Sequence, residues 1–233
     1  MALLDIEPLR AAAQSEIEAG LLACQLAVGR DGEIAWMESF GAISPGTRFS
    51  VRSATKPIVA SALWHLLADG RLELLRPVAH YLPEFAENGK GRVTVEQVLV
   101  MTAGLPNAPM SAEEGGDPAR RRARMASWQL ESVPGTRYAY HGTSAHWAIA
   151  ELIERITGQD FRDFVEERVT RPLGLPRVLG IPRDQQTDVA QLELGTEPAA
   201  DLAAVLEVGQ PGGGGVMRAA DLARFYQIGR AHV

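Results

Sequence analysis

Two strand-like stretches near the N-terminus are followed by a long run in which helical spacing dominates, and this imbalance limits what the chain can fold into. Residues 22–28 read as a strand. Arg30-Asp31-Gly32 supplies a turn with a glycine for positive φ, and residues 33–40 alternate with Ile34 and Trp36 on one face. The pair predicts a β-hairpin and, with it, an antiparallel sheet. Two strands are marginal alone, so the remaining strands are expected from sequence beyond residue 233 or from another chain, the first being preferred. The class is α+β.

Helical patterns account for most of the rest. Residues 6–20 place Leu9, Ala12, Ala13 and Ile17 at helical spacing. A helix is expected from Ser53, carrying Ile58, Val59, Ala62, Leu63 and Leu66 and ending at Asp69-Gly70. Thr94 is placed to cap a helix over 95–101, and residues 107–118 read as a loop. Residues 144–157 form a helix stopped by Gly158, 160–170 another, and 219–226 the start of a last one, after a flexible turn at 212–215.

Composition excludes several classes. The net charge is -6 with no basic stripe, which argues against nucleic acid as a partner. The one basic run, 120–124, reads as a solvated helix face or loop. A single cysteine, Cys24, rules out an internal disulfide. The first 20 residues lack a basic n-region and an apolar h-region, and no run reaches the length of a membrane span; with Met1 as the start, a cytoplasmic protein is expected. No His, Cys or Asp spacing suggests a metal site, and no cofactor is called for. Nothing in the sequence sets an oligomeric state.

The chemistry concentrates at Ser53-Ala54-Thr55-Lys56. Only two lysines, Lys56 and Lys90, stand against 21 arginines, and lysine, unlike arginine, can give up its proton inside a protein. Serine and lysine three apart at a helix start share a face about one turn apart. A lysine so placed can take the proton that makes a serine hydroxyl a nucleophile. The same four residues also fit a capping serine with a solvated lysine, and the motif alone leaves both readings open.

The wider pattern resembles the serine β-lactamase and penicillin-binding protein family, in its class C-like branch, which also holds carboxylesterases. The matching stretches include Phe49-Ser50-Val51-Arg52-Ser53-Ala54-Thr55-Lys56-Pro57, Ala68-Asp69-Gly70-Arg71-Leu72, Tyr81-Leu82-Pro83-Glu84-Phe85, Thr102-Ala103-Gly104-Leu105-Pro106, Glu154-Arg155-Ile156-Thr157-Gly158 and Arg171-Pro172-Leu173-Gly174-Leu175. Their order and spacing carry the resemblance from about Gly20 to Gln227. It implies an antiparallel sheet flanked by helices in three α/β/α layers, plus a helical region. It implies an acyl-enzyme mechanism in which Ser53 is the nucleophile, Lys56 its base and Tyr140, of the triplet Tyr140-His141-Gly142, the proton relay. The implied partner is a small ester or lactam. Gly142 stands where the family often has an asparagine that holds peptide-like substrates, which favours an esterase. A β-lactamase or DD-peptidase, and a non-catalytic member of the family, are the rival readings. His141 and His146 read as ordinary polar or core residues.

The family's third motif, a Lys, His or Trp two residues before Gly on an edge strand, is not found, although the glycine turn 212–215 that precedes it is. The closing strands, with the second oxyanion-hole donor, are therefore expected to be missing and the chain to be weak or inactive. Ile228-Gly229-Arg230-Ala231-His232-Val233 breaks the preceding helical pattern and matches a reading frame of a common sequencing adapter. An incomplete domain over 1–227 and an artefactual tail over 228–233 are expected.

Overall fold

The computed structural model describes residues 5–190 and 201–227. In chain order the elements are α1 (Glu7–Glu18), β1 (Ala23–Arg30), β2 (Glu33–Gly41), β3 (Phe49–Ser50), α2 (Thr55–Ala68), α3 (Val78–Tyr81), α4 (Val95–Leu99), α5 (Ala112–Gly116), α6 (Pro118–Ser127), α7 (Ser144–Thr157), α8 (Phe161–Val165), α9 (Leu202–Val208), β4 (Val216–Met217) and α10 (Ala219–Phe225). The class is α+β. Two compact units divide the chain: Met1–Phe49 with Asp188–Leu192 and Met217–Val233, and Ser50–Thr187 with Glu193–Val216. Among the described residues no helix is long and apolar enough to cross a membrane. The adapter-like tail lies outside the described residues.

In the first unit β1 and β2 pair antiparallel from Ala23 opposite Gly41 to Arg30 opposite Glu33, with a bulge at Val28/Gly29. Both loop residues are left-handed, Asp31 at φ 52° and Gly32 at φ 85°, which matches the twist that a two-residue hairpin loop needs. Helices α1 and α10 pack against this hairpin. The Gln227 side chain clamps the turn: its Oε1 accepts from the Gly32 N–H at 2.8 Å and its Nε2 donates to the Glu33 carbonyl at 3.2 Å. A Cβ on Gly29 would come within 2.4 Å of that amide, so the bulge position has to be glycine for the clamp to close.

The second unit is helical, and α7 is its centre. Residues Ser144 through Ile153 of α7 are all buried. It packs against α2, α3, α4 and α8. The expected apolar face of α2 is the one buried, with Ile58, Val59, Ala62 and Leu63 at 0% exposure; burying each of the three larger side chains, Ile58, Val59 and Leu63, contributes about 1.5–3 kcal/mol. Gly70, at φ 67°, ends α2 as expected, and Gly158, at φ 76°, ends α7. Thr94 caps α4 in a reciprocal capping box with Gln97. That helix stops at Leu99 rather than 101, because Met101 turns left-handed at φ 59°.

Other expectations fail in this unit. Residues 107–118 are not all loop. Ser111 and Glu114 form a capping box that starts α5, and Gly115 lies so near Trp147 that a Cβ would sit 2.3 Å from its ring. Nor is the basic run wholly solvated. Arg121 is 1% exposed and donates to Glu151, to Glu154 and, at 2.9 Å, to the Gly115 carbonyl. Its neighbours Arg120 and Arg124 are outside, paired with Glu113 and Glu114. Lys90 is equally enclosed, at 0% exposure, and its ammonium donates to the carbonyls of Glu87, Ala126 and Trp128 at 2.6, 2.9 and 2.7 Å. Three diverging donors on one atom suit lysine where the planar arginine fork would not.

The Arg121 cluster sets a stability test. Arg121→Met leaves the fully buried Glu151 with only the distant Arg122, 3.7 Å away, and is expected to cost about 3–5 kcal/mol in urea unfolding. Adding Glu151→Leu should recover most of that loss, since the carboxylate then left without Arg121 is Glu154, whose side chain keeps 15% exposure; a double variant no better than the single one would show the cluster acts otherwise.

Candidate active site

Ser53 does not begin a regular α-helix. It sits in a 3-10 turn, Arg52–Ala54, that leads into α2. The turn is forced by its surroundings. The Ala54 N–H donates to the Val51 carbonyl at 3.0 Å, while the Thr55 hydroxyl donates to the Arg52 carbonyl at 2.6 Å and accepts from the Gly215 N–H at 2.9 Å. The Val51 N–H donates to the Gly215 carbonyl at 2.9 Å. Within this frame Arg52 is held left-handed at φ 47°, a conformation that costs a non-glycine residue about 1–3 kcal/mol and persists only where packing over-determines it.

The glycine run is therefore a tight seat and not a flexible turn. A Cβ on Gly215 would stand 2.6 Å from Thr55 Oγ1, and one on Gly212 would stand 2.9 Å from the Gly142 carbonyl oxygen and 3.3 Å from Lys56 Nζ. Only bare backbone comes close enough for the Gly212 carbonyl to accept from the Lys56 ammonium at 2.6 Å. Lys56 is 7% exposed, and its Nζ also lies 3.3 Å from Ser53 Oγ as a donor.

Tyr140 arrives from the other side. The Ala139 N–H donates to the Met101 carbonyl at 3.1 Å. His141, fully buried, ties the segment down: Nδ1–H donates to the Ala139 carbonyl at 2.5 Å and Nε2 accepts from the Leu105 N–H at 2.9 Å. Ser144 adds a bond to the Leu105 carbonyl at 2.6 Å. So held, the Tyr140 hydroxyl donates to Ser53 Oγ at 2.6 Å, and Lys56 Nζ lies 5.1 Å from the centre of the tyrosine ring. Burial pushes the Tyr140 pKa up, but the hydrogen bonds to Ser53 and Lys56 and the nearby ammonium outweigh it, leaving the phenol below its ordinary value. Ser53 and Tyr140 face solvent while Lys56 lies beneath them. The three residues singled out in the sequence thus meet at one oxygen.

The family model described as Beta-lactamase matches residues 9–232. The chain belongs to the beta-lactamase family. It is 32% identical over 157 residues to the esterase/beta-lactamase LipL of Mycobacterium tuberculosis, covering 65% of this chain and 36% of that protein. It is 31% identical over 175 residues to esterase EstB of Burkholderia gladioli, covering 64% and 44%. The chain therefore spans less than half the length of either relative. Among solved structures, a penicillin-binding protein homologue from Caulobacter crescentus superimposes with a TM-score of 0.82 at 25% identity, covering 96% of this chain and 69% of that one. EstA from Arthrobacter nitroguajacolicus gives 0.79 at 26% identity, covering 94% and 67%. The expected fold family is the observed one.

Sequence reading missed four contributors: Thr55, Gly212, Gly215 and the left-handed Arg52. The signal for the glycines was present as a run of four, but a run of glycines reads as freedom until its neighbours are known. His146 is buried, at 4% exposure, against Lys56, as its reading as a core residue expects. Its Nε2 lies 3.2 Å from the Lys56 carbonyl oxygen, and Nδ1 is buried without a hydrogen-bond partner. Burial first, and the Lys56 charge second, push its pKa down to about 3.

A pH test of stability follows. The folded value lies below the ordinary 6.5, so the unfolded chain binds the proton first and stability falls as pH drops from 6.5 toward 3. His146 contributes up to about 1.4 kcal/mol per pH unit in that window, and His141, also lowered by burial, acts in the same sense. His146→Leu is expected to flatten the dependence of unfolding free energy between pH 6.5 and 5 by up to one proton's worth. An unchanged slope would mean that His146 is not held neutral.

Proposed function

We propose that this chain carries the acylating centre of a serine carboxylesterase. The observation behind the reading is the convergence of the Tyr140 hydroxyl and the Lys56 ammonium nitrogen on Ser53 Oγ, at 2.6 and 3.3 Å. Ser53 Oγ attacks the ester carbonyl carbon. Its proton passes to the Lys56–Tyr140 pair in the form that is one proton short of ammonium plus phenol, Lys56 acting as base and Tyr140 relaying the proton to the departing alkoxide. Water then attacks the acyl-serine ester, gives up its proton to the same pair, and the Ser53 hydroxyl is restored with release of the acid. The Ser53 N–H lies in the first helical turn, where backbone donors lack intrahelical acceptors, and serves as one half of the oxyanion hole. Removing one such donor typically costs about 10²–10³ in rate. The substrate is a small ester.

Support for an ester over a lactam comes from Gly142 and from the names of the two relatives, one an esterase and one an esterase/beta-lactamase. The lactam reading retains one observation in its favour: a Cβ on Gly142 would meet nothing nearer than Tyr140 Cε1 at 3.9 Å, so the place for the family's asparagine is open. Gly142→Asn should fit without strain and raise turnover of a chromogenic cephalosporin relative to a p-nitrophenyl ester. No gain would uncouple this position from substrate choice.

The central test is turnover of p-nitrophenyl butyrate together with the mass of the trapped acyl-enzyme. Ser53→Ala should abolish both. Turnover that survives the substitution, or turnover of the cephalosporin alone, would sink the esterase reading; a wild-type protein on which neither substrate leaves an acyl group at Ser53 would favour the non-catalytic one. Because the Tyr140 phenol lies below its ordinary value of 10.0, its proton-accepting form grows as pH rises. The ratio kcat/KM should climb with pH through a limb whose midpoint lies below that value. Tyr140→Phe should remove this limb and lower kcat/KM by about 10²–10⁴.

A further inference from the structure

The segments that build the site carry no carboxylate. The chain has 29 Asp and Glu residues, yet none falls in residues 50–68, 98–112, 132–150 or 208–216. The same segments hold Arg52, Lys56 and Arg137. This is a positive site in a chain of net charge -6. Pairing sharpens the contrast. Among the described residues every arginine but Arg52, Arg92 and Arg137 has a carboxylate, carbonyl or other partner, and those three are exposed. Two of the three free guanidinium groups flank the reacting groups: Arg52 immediately precedes Ser53, and Arg137 lies three residues before Tyr140.

An unpaired guanidinium beside a nucleophile has a chemical use. Arg52 and Ser53 have Cα atoms about 3.8 Å apart across a trans peptide, and no cis bond intervenes. An acyl group on Ser53 Oγ therefore begins within an arginine side chain's length of the Arg52 backbone. The left-handed backbone at Arg52 is fixed by the Thr55 and Gly215 bonds, so the root of that side chain is rigid. In the mechanism above, Tyr140 serves the leaving group and the acyl group stays on Ser53, the residue next to Arg52. Guanidinium pairs well with a carboxylate, through two parallel N–H donors.

We propose that Arg52 is a specificity-determining residue that recruits a carboxylate on the acyl chain of the substrate, making the site selective for half-esters of dicarboxylic acids, with Arg137 adding to the attracting field. This rests on the hydrolase reading, and the experiment separates the two. The probes are mono-p-nitrophenyl adipate and p-nitrophenyl hexanoate, which match in chain length and differ in the terminal carboxylate, with 4-carboxyphenyl hexanoate placing the charge on the leaving group. The ratio of kcat/KM for the adipate ester to that for the hexanoate ester should fall about tenfold in Arg52→Gln. It should be partly restored in Arg52→Lys and shrink toward the Arg52→Gln value in 1 M salt, where the screening length is about 3 Å. An adipate-to-hexanoate ratio that Arg52→Gln leaves unchanged, or a loss confined to the 4-carboxyphenyl ester, would overturn the assignment. Calorimetric titration of Ser53→Ala with adipate, with and without Arg52→Gln, reads recognition without turnover. Adipate binding weakened by Arg52→Gln, together with wild-type protein that hydrolyses none of the three esters, would retire the hydrolase reading and keep the anion site. Equal binding in both would retire the anion site.

Discussion

The hydrogen bond from the Lys56 ammonium to the Gly212 carbonyl is the contact on which the site depends. It joins the first turn of α2 to a stretch 156 residues away, and it forms because glycine at 212 and 215 lets backbone lie against the site. Thr55 completes the junction with one hydroxyl that donates to Arg52 and accepts from Gly215. These bonds hold Arg52 left-handed, and the orientation of Ser53 follows from that. The nucleophile is thus positioned in part by Thr55 and Gly215, which take no part in the proposed chemistry.

Tyr140 is positioned by a separate and equally buried set. His141 spans two backbone segments with its two ring nitrogens, one donating and one accepting, which fixes both the tautomer and the course of residues 139–141. Lys56 and Tyr140 therefore reach Ser53 from independent supports. His146 lies beneath Lys56 as a neutral ring, so the ammonium is the sole buried cation supplied by this pair of side chains.

Much of the architecture was legible because it is local. Amphipathic spacing located α2, α7 and the hairpin, and the glycines at 70 and 158 ended helices where their positive φ was needed. Ser53, Lys56 and Tyr140 were found through motif order and lie together. What stayed hidden was non-local. Arg121 looked like one of a solvated run because its partners, Glu151 and Glu154, are a whole helix away in sequence. Residues 112–116 looked like loop because a five-residue helix has almost no periodicity to detect, and its capping box was overlooked. The glycines at 212–215 looked mobile because a sequence does not record what a missing Cβ makes room for.

The placement of the two lysines has a practical corollary. The chain has no others; Lys90 is sealed against three carbonyls, and Lys56 is nearly covered beneath Ser53. The cationic surface is consequently guanidinium throughout. Acylating labels, aldehyde crosslinkers and lysine-modifying enzymes, which decorate most proteins indiscriminately, would find a side-chain amine here only by entering the site or by catching the protein unfolded. Amine reactivity thus becomes a gauge of whether the ground beneath Ser53 is intact.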